Sequence, residues 1–130
     1  MAMIIADTDV LIDYLRGHGE AKRVALELTT RSFATTSITE FELRSGAHSK
    51  KQRTGVDLLL EAMTILSFGP DEAQKAAEIR QTLEAAGEPI GMADYMIAAV
   101  CLVQNGTLLT RNKRHFERVK GLHISGDYRR

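Results

Sequence analysis

Short apolar runs alternate with amphipathic segments along this chain. The runs are typical of strands buried on both faces, and the segments repeat apolar residues at helical spacing. The predicted strands are residues 3–6, 33–37, 64–68, 107–110 and 122–125. The predicted helices are residues 10–16, 38–48, 56–63, 71–86, 92–104 and 113–120. Strands separated by helices predict a three-layer α/β/α fold with a mostly parallel central sheet of about five strands.

The helix over residues 71–86 has the clearest pattern in the chain. One face of it is made of small or aliphatic residues, namely Ala76, Ile79, Leu83 and Ala86. Gly87 and Pro89 follow as stop signals. Residues 49–55, "SKKQRTG", are polar throughout and predict a connection before a short helix that starts at Val56.

Composition excludes several classes of protein. Apolar residues make up 44% of the 130 residues and charged residues 26%, which indicates one globular domain over residues 1–130. No apolar run approaches the roughly 20 residues of a membrane span and no basic leader opens the chain, so we expect a cytoplasmic protein. The single cysteine, Cys101, excludes a disulfide framework and a thiolate zinc site. The net charge is zero, so any site for a polyanion must be local.

Polar and acidic residues follow several of the predicted strands. Asp7 ends the first strand, and Asp9 and Asp13 follow it four residues apart, on one face of the first helix. The other candidates near strand ends or helix starts are Ser37, Thr39, Glu40, Glu42, Asp94 and Asn112. In a parallel sheet, functional groups collect beyond the carboxyl ends of the strands. We therefore expect these side chains to meet at one edge.

Carboxylates gathered at one edge repel one another and raise one another's pKa unless a cation lies between them. Mg²⁺ and Mn²⁺ prefer oxygen ligands, keep several waters and often bind a substrate phosphate. Zinc is a poorer match, because the four histidines are scattered without ligand spacing; they are His18, His48, His115 and His123. The acids thus favour a hard divalent cation.

Four segments together resemble the PIN domain, and most closely the VapC-type toxin ribonucleases of bacterial toxin–antitoxin pairs. They are "IIADTDVLIDYL" (4–15), "TTSITEFELRSGA" (35–47), "GMADYMIAA" (91–99) and "LLTRNKRHFERV" (108–119). The resemblance spans residues 3–124. It implies a Mg²⁺-dependent endoribonuclease, for which Mn²⁺ can substitute. It also implies a cognate antitoxin as partner and assembly as a homodimer or a toxin–antitoxin hetero-oligomer.

The resemblance also implies roles for individual residues. The acids that match the family's catalytic metal ligands are Asp7, Glu42 and Asp94. Asp9 stands where the family often has Asn, and Asn112 stands where it often has a fourth acid. One firmly held metal is therefore expected rather than two. Thr110 matches a hydroxyl residue and is expected to contact a water or a phosphate.

Each acid also has a purely structural explanation. Asp9 could cap the first helix, and Asn112 the helix that follows the fourth strand. Asp94 could interact with the dipole of its own helix, although an idle carboxylate there would be costly to bury. Asp13 is expected to be a solvated acid without a role, so Asp13→Asn should keep most activity.

Glu42 has a specific structural rival. "TEFE" makes Thr39 and Glu42 a capping box, and "SITE" does the same for Ser37 and Glu40. Positions 40 and 42 point about 200° apart on a helix, so only one of them can face the site. The residues alone leave this open, and the resemblance selects Glu42.

Two basic segments, residues 48–53 and 111–120, could contact an RNA backbone, although solvated faces are the commoner explanation for such runs. Arg111, Lys113 and Arg114 are the stronger candidates because they flank the predicted site.

Two other functions remain open at this stage. "DTDVLID" also resembles the opening of haloacid-dehalogenase-like phosphatases, with Asp7 as nucleophile, Asp9 as general acid and Ser37 or Thr36 as phosphate donor. The chain departs from that family in lacking the usual Gly after the second acid and a paired-acid motif near its end. The third reading is a non-catalytic PIN-like binding module.

Overall fold

The computed structural model describes residues 3–30 and 32–126. Within these residues the chain forms five strands, β1 (Ile4–Ala6), β2 (Phe33–Thr36), β3 (Thr64–Leu66), β4 (Thr107–Leu109) and β5 (His123–Ile124). The helices of the same part of the chain are α1 (Thr8–Arg16), α2 (Ala21–Glu27), α3 (Ser37–Ser45), α4 (Lys50–Glu61), α5 (Pro70–Ala85), α6 (Met92–Gln104) and α7 (Lys113–Phe116). The domain ends expected at residues 1 and 130 lie outside the described residues.

The strands form one sheet in the order β3-β2-β1-β4-β5, and each neighbouring pair is parallel. Ile5 of β1 lies opposite Ala34 of β2 and Leu108 of β4, so β1 is central. Because the strands run the same way, the residues that follow β1, β2 and β4 meet at one edge. The predicted α/β fold with a parallel sheet of about five strands is confirmed.

Helices cover both faces of the sheet, which gives the expected three layers. On one face, α5 and α6 pack over the sheet and contribute Ile79, Leu83 and Ile97 to the core. On the other face, α1, α3 and α4 contribute Leu11, Leu43 and other aliphatic side chains. Both faces of the short strands are thereby removed from water, which explains their continuous apolar sequences.

Helix α1 begins directly after β1 because Asp7 is its N-cap and accepts a hydrogen bond from the backbone N–H of Thr8. It ends at Gly17, whose φ of 70° lies in the left-handed region that glycine adopts without strain. The first strand and the first helix are thus joined through a single buried acid. That acid is the centre of the candidate site.

Helix α4 corrects the prediction for residues 49–55. The segment is helical rather than a connection, because Ser49 and Gln52 form a reciprocal capping box that starts the helix at Lys50. Its polar first turns face solvent, and burial begins at Val56.

Further differences concern individual helices, among them α7, which ends at Phe116 rather than at residue 120. Helix α2 was not predicted, and among its residues only Val24 is buried, so its amphipathic signal is weak. Helix α3 ends at Ser45 rather than at residue 48. Ala86 is exposed at the C-cap of α5 rather than on its buried face, because the helix has already ended. No helix of the described residues is long and apolar enough to span a bilayer.

Candidate active site

Buried polar side chains are rare in this protein, and most of those in the described residues lie near the carboxyl ends of β1, β2 and β4. They are Asp7, Thr35, Thr36, Thr39 and Thr110. The sixth, Glu72, lies elsewhere, at the start of α5. Buried polar groups are costly unless they are hydrogen-bonded, and every buried side-chain nitrogen and oxygen of the described residues has a partner.

Asp7 is held from three directions. Its backbone N–H donates to the carbonyl of Leu109 over 2.9 Å, which extends the pairing of β1 with β4. Its Oδ1 accepts from the backbone N–H of Thr8 over 2.8 Å, and its Oδ2 accepts from the hydroxyl of Thr110 over 2.7 Å. Only 5% of the residue is exposed. The carboxylate therefore has one fixed orientation.

The surroundings of Asp7 disfavour its charge. The pKa of Asp7 is raised to about 7, mainly by burial and next by the nearby carboxylate of Asp9. The hydrogen bonds from Thr110 and Thr8 act in the opposite direction, and the charge of Asp94 adds to the increase. The N-cap residue of α1 is thus a buried acid that feels the charge of two other acids.

Glu42 faces α1, and its Oε1 accepts a hydrogen bond from the hydroxyl of Thr8 over 2.5 Å. Glu40 points away and pairs with Arg44 over 2.9 Å. Both predicted capping boxes are wrong, because the N-cap of α3 is Thr36, whose hydroxyl accepts from the backbone N–H of Thr39. The geometry therefore places Glu42, and not Glu40, beside the residues that follow β1.

Asp94 lies in the first turn of α6 and is half-buried. Burial raises the pKa of Asp94, the charge of His115 lowers it, and the charge of Glu42 raises it. The charge of Glu42 thus acts on Asp94, and the charge of Asp94 acts on Asp7.

His115 is a site residue that the sequence reasoning set aside. Its Nδ1 lies 3.7 Å from Oδ2 of Asp94, and the side-chain amide nitrogen of Asn112 lies 2.9 Å from the same Nδ1. Asn112 occupies the N-cap position of α7, but its side chain makes no capping hydrogen bond. The spacing of three between Asn112 and His115 at a helix start was the available signal.

The expectations for Asp9 and Asp13 need correction. Asp9 does not cap α1, since Asp7 does; its Oδ1 instead accepts from the backbone N–H of Arg111 over 3.4 Å. Burial raises the pKa of Asp9, while that N–H and the charge of Arg111 lower it. Asp13 is not a solvated acid: its side chain is 14% exposed and lies 3.0 Å from Nε of Arg111.

Thr110 is fully buried, and its hydroxyl donates to Asp7. The expected contact with a water or a phosphate stays a prediction. Arg111 and Arg114 are exposed and Lys113 is half-buried, all on the segment that follows β4. The basic residues proposed for RNA contact thus stand at the same edge as the acids.

The donor set fits a hard divalent cation, because it offers carboxylate oxygens and no sulfur. Within residues 3–30 and 32–126, however, no three His, Cys, Asp or Glu side chains lie close enough together to enclose an ion. Mg²⁺ does not require such an enclosure, since it usually keeps several waters and binds through one or two carboxylates. Asp7 and its acidic neighbours meet that requirement.

Comparison with known proteins gives consistent matches over nearly the whole chain. The family model of the PIN domain matches residues 4–122. Ribonuclease VapC1 of Methanocaldococcus jannaschii is 34% identical over 123 residues, covering 93% of this chain and 85% of the relative. The tRNA(fMet)-specific endonuclease VapC of Salmonella typhimurium is 28% identical and covers 95% of this chain and 97% of its own.

A solved structure extends the match to three dimensions. VapBC2 from Rickettsia felis, crystallised with a DNA fragment from its promoter, superimposes with a TM-score of 0.85. The two chains are 25% identical, and the match covers 95% of this chain and 97% of the other.

Proposed function

Because this chain belongs to the PIN domain family, and to its VapC ribonucleases, we propose that it is the toxin of a toxin–antitoxin pair and cleaves RNA by hydrolysing a phosphodiester. The single domain over residues 1–130 would hold the whole active site. A single observation carries the proposal: Asp7 is buried beside Asp9 and Asp94 at the carboxyl edge of the sheet. Placing several acids together in a buried region costs stability, because like charges repel.

Asp7, Glu42 and Asp94 are the residues that would hold the metal ion. Mg²⁺ is the expected cation, and Mn²⁺ has the same preference for oxygen. The chemistry that such an ion supplies when bound is activation of water and stabilisation of charge on a phosphate. Asn112 adds no negative charge and its amide contacts His115, which supports one metal rather than two.

The other residues of the site fix the orientation of these acids. Thr110 and the N–H of Thr8 hold the carboxylate of Asp7 from opposite sides, and the hydroxyl of Thr8 holds Glu42. Thr8 therefore ties the start of α1 to α3. The RNA backbone would approach over Arg111, Lys113 and Arg114, since phosphate contacts supply most sequence-independent affinity.

The proposed partner is a cognate antitoxin. A solved toxin–antitoxin complex from Klebsiella pneumoniae supports it, because a chain of that complex is 28% identical to this chain and superimposes with a TM-score of 0.79. The antitoxin would present a basic side chain to the carboxylates, and the assembly would be a homodimer or a toxin–antitoxin hetero-oligomer. A toxin that cuts cellular RNA would act in the cytoplasm.

No contact in the described residues favours the phosphatase reading. That reading needs Thr36 or Ser37 as a phosphate donor, yet the hydroxyl of Thr36 is buried and caps α3. A non-catalytic module is disfavoured by the retention of Asp7, Glu42 and Asp94 together.

The test is an activity assay on purified protein freed of its partner. The substrates are total bacterial RNA, a tRNA(fMet) transcript and a small phosphate monoester, each with Mg²⁺, Mn²⁺ or a chelator. Asp7→Asn is the blank, and cut positions are mapped by sequencing of 5′ ends. The tRNA(fMet) transcript is included because the Salmonella relative is named for that substrate.

We expect metal-dependent cuts at defined RNA positions that are absent from the blank, with no turnover of the monoester. Monoester turnover without RNA cleavage would move the assignment to a phosphatase. If the protein neither cleaves any of the RNA substrates nor hydrolyses the monoester, the catalytic proposal is overturned.

A further inference from the structure

Three consecutive residues after β4 reach three different parts of the site. Thr110 donates to Asp7, Arg111 contacts α1, and Asn112 contacts His115 beside Asp94. In sequence, Arg111 therefore lies between a residue that contacts Asp7 and a residue that contacts His115. The proposed function gives Arg111 a general contact with the RNA backbone but does not explain how its guanidinium is placed.

Arg111 is bound to α1 at two points. Its backbone N–H donates to Asp9, and its Nε forms an ion pair with Asp13 over 3.0 Å. Asp9 and Asp13 are four residues apart, which puts their carboxylates on one helix face about 6 Å apart along the axis. The guanidinium thus lies one helical turn away from Asp9, a distance comparable with the spacing of successive phosphates along a nucleic-acid strand.

The ion pair engages only one side of the guanidinium. Nε faces Asp13, and within residues 3–30 and 32–126 the two terminal nitrogens of Arg111 have no protein acceptor. The Arg111 side chain is 34% exposed, whereas that of Asp13 is 14% exposed. The buried member of the pair is therefore the acid, and the exposed member presents planar N–H donors, which suit the oxygens of a phosphate.

The positive charge of Arg111 can offset the repulsion between the acids and an RNA strand. An RNA strand that approaches a cluster of carboxylates is repelled by them, and an unrestrained arginine would collapse onto the nearest acid. Asp13 restrains Arg111 at a point away from Asp7 and Asp94. The restraint also reduces the side-chain entropy that binding would otherwise cost.

We propose that Asp13 is a positioning residue, which holds the guanidinium of Arg111 so that its terminal N–H groups bind an RNA phosphate next to the one that is cleaved. This inference rests on the proposed function. The competing explanation is that the pair only fastens α1 to the segment after β4. That explanation predicts a loss of stability and no change in RNA affinity.

The test uses Asp13→Asn, Arg111→Gln and the double variant. Arg80→Gln is the matched control, because it removes the same charge from an exposed ion pair with Glu84 on α5. Affinity for labelled total bacterial tRNA is measured in chelator at several salt concentrations. Cleavage kinetics are measured on the RNA identified in the assay above, starting with tRNA(fMet), at a temperature well below the melting point of every variant.

We expect Arg111→Gln to raise KM and the Kd for tRNA about tenfold, the size of one charge-assisted contact, with kcat within about twofold. Its plot of log Kd against log salt should lose about 0.7 to 1 in slope. Asp13→Asn should raise KM and Kd about fivefold, and the double variant should be no worse than Arg111→Gln alone. Arg80→Gln should match the wild type.

The outcomes separate this inference from the proposed function. A wild type that cuts no RNA overturns the proposed function. A wild type that cuts RNA, with Asp13→Asn and Arg111→Gln unchanged in KM, Kd and salt slope, overturns this inference alone. Loss of affinity in Arg111→Gln with full affinity in Asp13→Asn shows that Asp13 does not position the guanidinium, and it overturns the inference as well.

Discussion

Among residues 3–30 and 32–126, two buried carboxylates lie at helix starts, and their surroundings differ. Asp7 precedes α1 and is 5% exposed, and Glu72 lies in the first turn of α5 and is 8% exposed. Each accepts a backbone N–H at its helix start, from Thr8 and from Gly69 respectively, over 2.8 Å in both cases. By burial and capping alone, the two acids are equivalent.

Their neighbours make the difference. Burial, and then the charges of Asp9 and Asp94, raise the pKa of Asp7 to about 7, and a buried threonine hydroxyl orients its carboxylate. Glu72 closes the start of α5 by accepting from the backbone N–H of Gly69. A buried acid therefore indicates a functional site only when other acids surround it, because the repulsion then needs a cation to relieve it.

Removing an acid from the site around Asp7 should have the largest effect on RNA cleavage. Asp7→Asn or Asp94→Asn should lower RNA cleavage by about a hundredfold or more, since each removes a proposed metal ligand. Both variants should remain folded. The measurement is the initial rate of RNA cleavage with Mg²⁺, beside thermal unfolding. An unfolded Asp7→Asn variant would contradict this assignment, because it would make Asp7 essential to the fold.

Glu42 and Glu40 allow the same comparison within one helix. Glu42→Gln should reduce cleavage by about tenfold to a hundredfold, because the amide keeps the contact with Thr8 but loses the charge. Glu40→Gln removes the same charge from the opposite side of α3, where it pairs with Arg44, and should keep wild-type activity. Equal loss in both variants would indicate a general charge effect rather than ligation.

Stability of the metal-free protein should depend on pH through Asp7. Below pH 4 the acid is protonated in both states; between pH 4 and pH 7 it ionises only when unfolded, since its pKa rises from 3.8 to about 7 on folding. The free energy of unfolding should thus fall by up to about 4 kcal/mol across this range and level off above it. Urea titrations with chelator measure this. Asp7→Asn should flatten the profile, and an equally steep profile in that variant would exclude Asp7 as the cause.

The strands could be predicted because burial on both faces requires continuous apolar sequences, and most helices could be predicted because their buried faces repeat apolar residues at helical spacing. Helix α2 and the first turns of α4 carry little of that signal, as Val24 is the one buried residue of α2 and the start of α4 is polar. The capping pair Ser49 and Gln52 was the readable clue for α4.

In the candidate site, some residues could be predicted from the sequence and some contacts could not. Asp7, Glu42 and Asp94 could be named from the resemblance of their motifs, and their role as metal ligands stays a prediction. The pairing of Asp13 with Arg111 and of Thr110 with Asp7 joins residues far apart in sequence, so no local pattern reveals it. His115 was set aside because the four histidines share no spacing, although its neighbours at the site are Asn112 and Asp94.

Thr110→Val should have a smaller effect on RNA cleavage than loss of an acid. The valine keeps the shape but removes the donor to Asp7, so the pKa of Asp7 should rise further and stability should fall by about 1 kcal/mol. Cleavage at neutral pH should decrease about tenfold, and raising the pH should recover part of it. Thr110→Ser keeps the hydroxyl and is the control. Full activity in Thr110→Val would show that this hydrogen bond does not orient the acid.

Glu72→Gln should have the smallest effect. The amide oxygen can still accept from the N–H of Gly69, so stability should change by about 0.5 kcal/mol or less and cleavage should not change. Thermal unfolding and the RNA assay measure both. A marked loss of cleavage here would end the distinction between the two buried acids.

The most direct test of the central claim is the anomalous difference map of crystals grown with Mn²⁺ and collected above the manganese edge. We expect one strong peak at the carboxyl edge of the sheet. The ion should lie within about 2.3 Å of an oxygen of Asp7 and of an oxygen of Asp94 or Glu42, and water should complete its coordination shell. The same crystals of Asp7→Asn should lack the peak. A wild-type map without a peak at Asp7, or with the ion bound only at other residues, would contradict the claim that the clustered acids form a metal site.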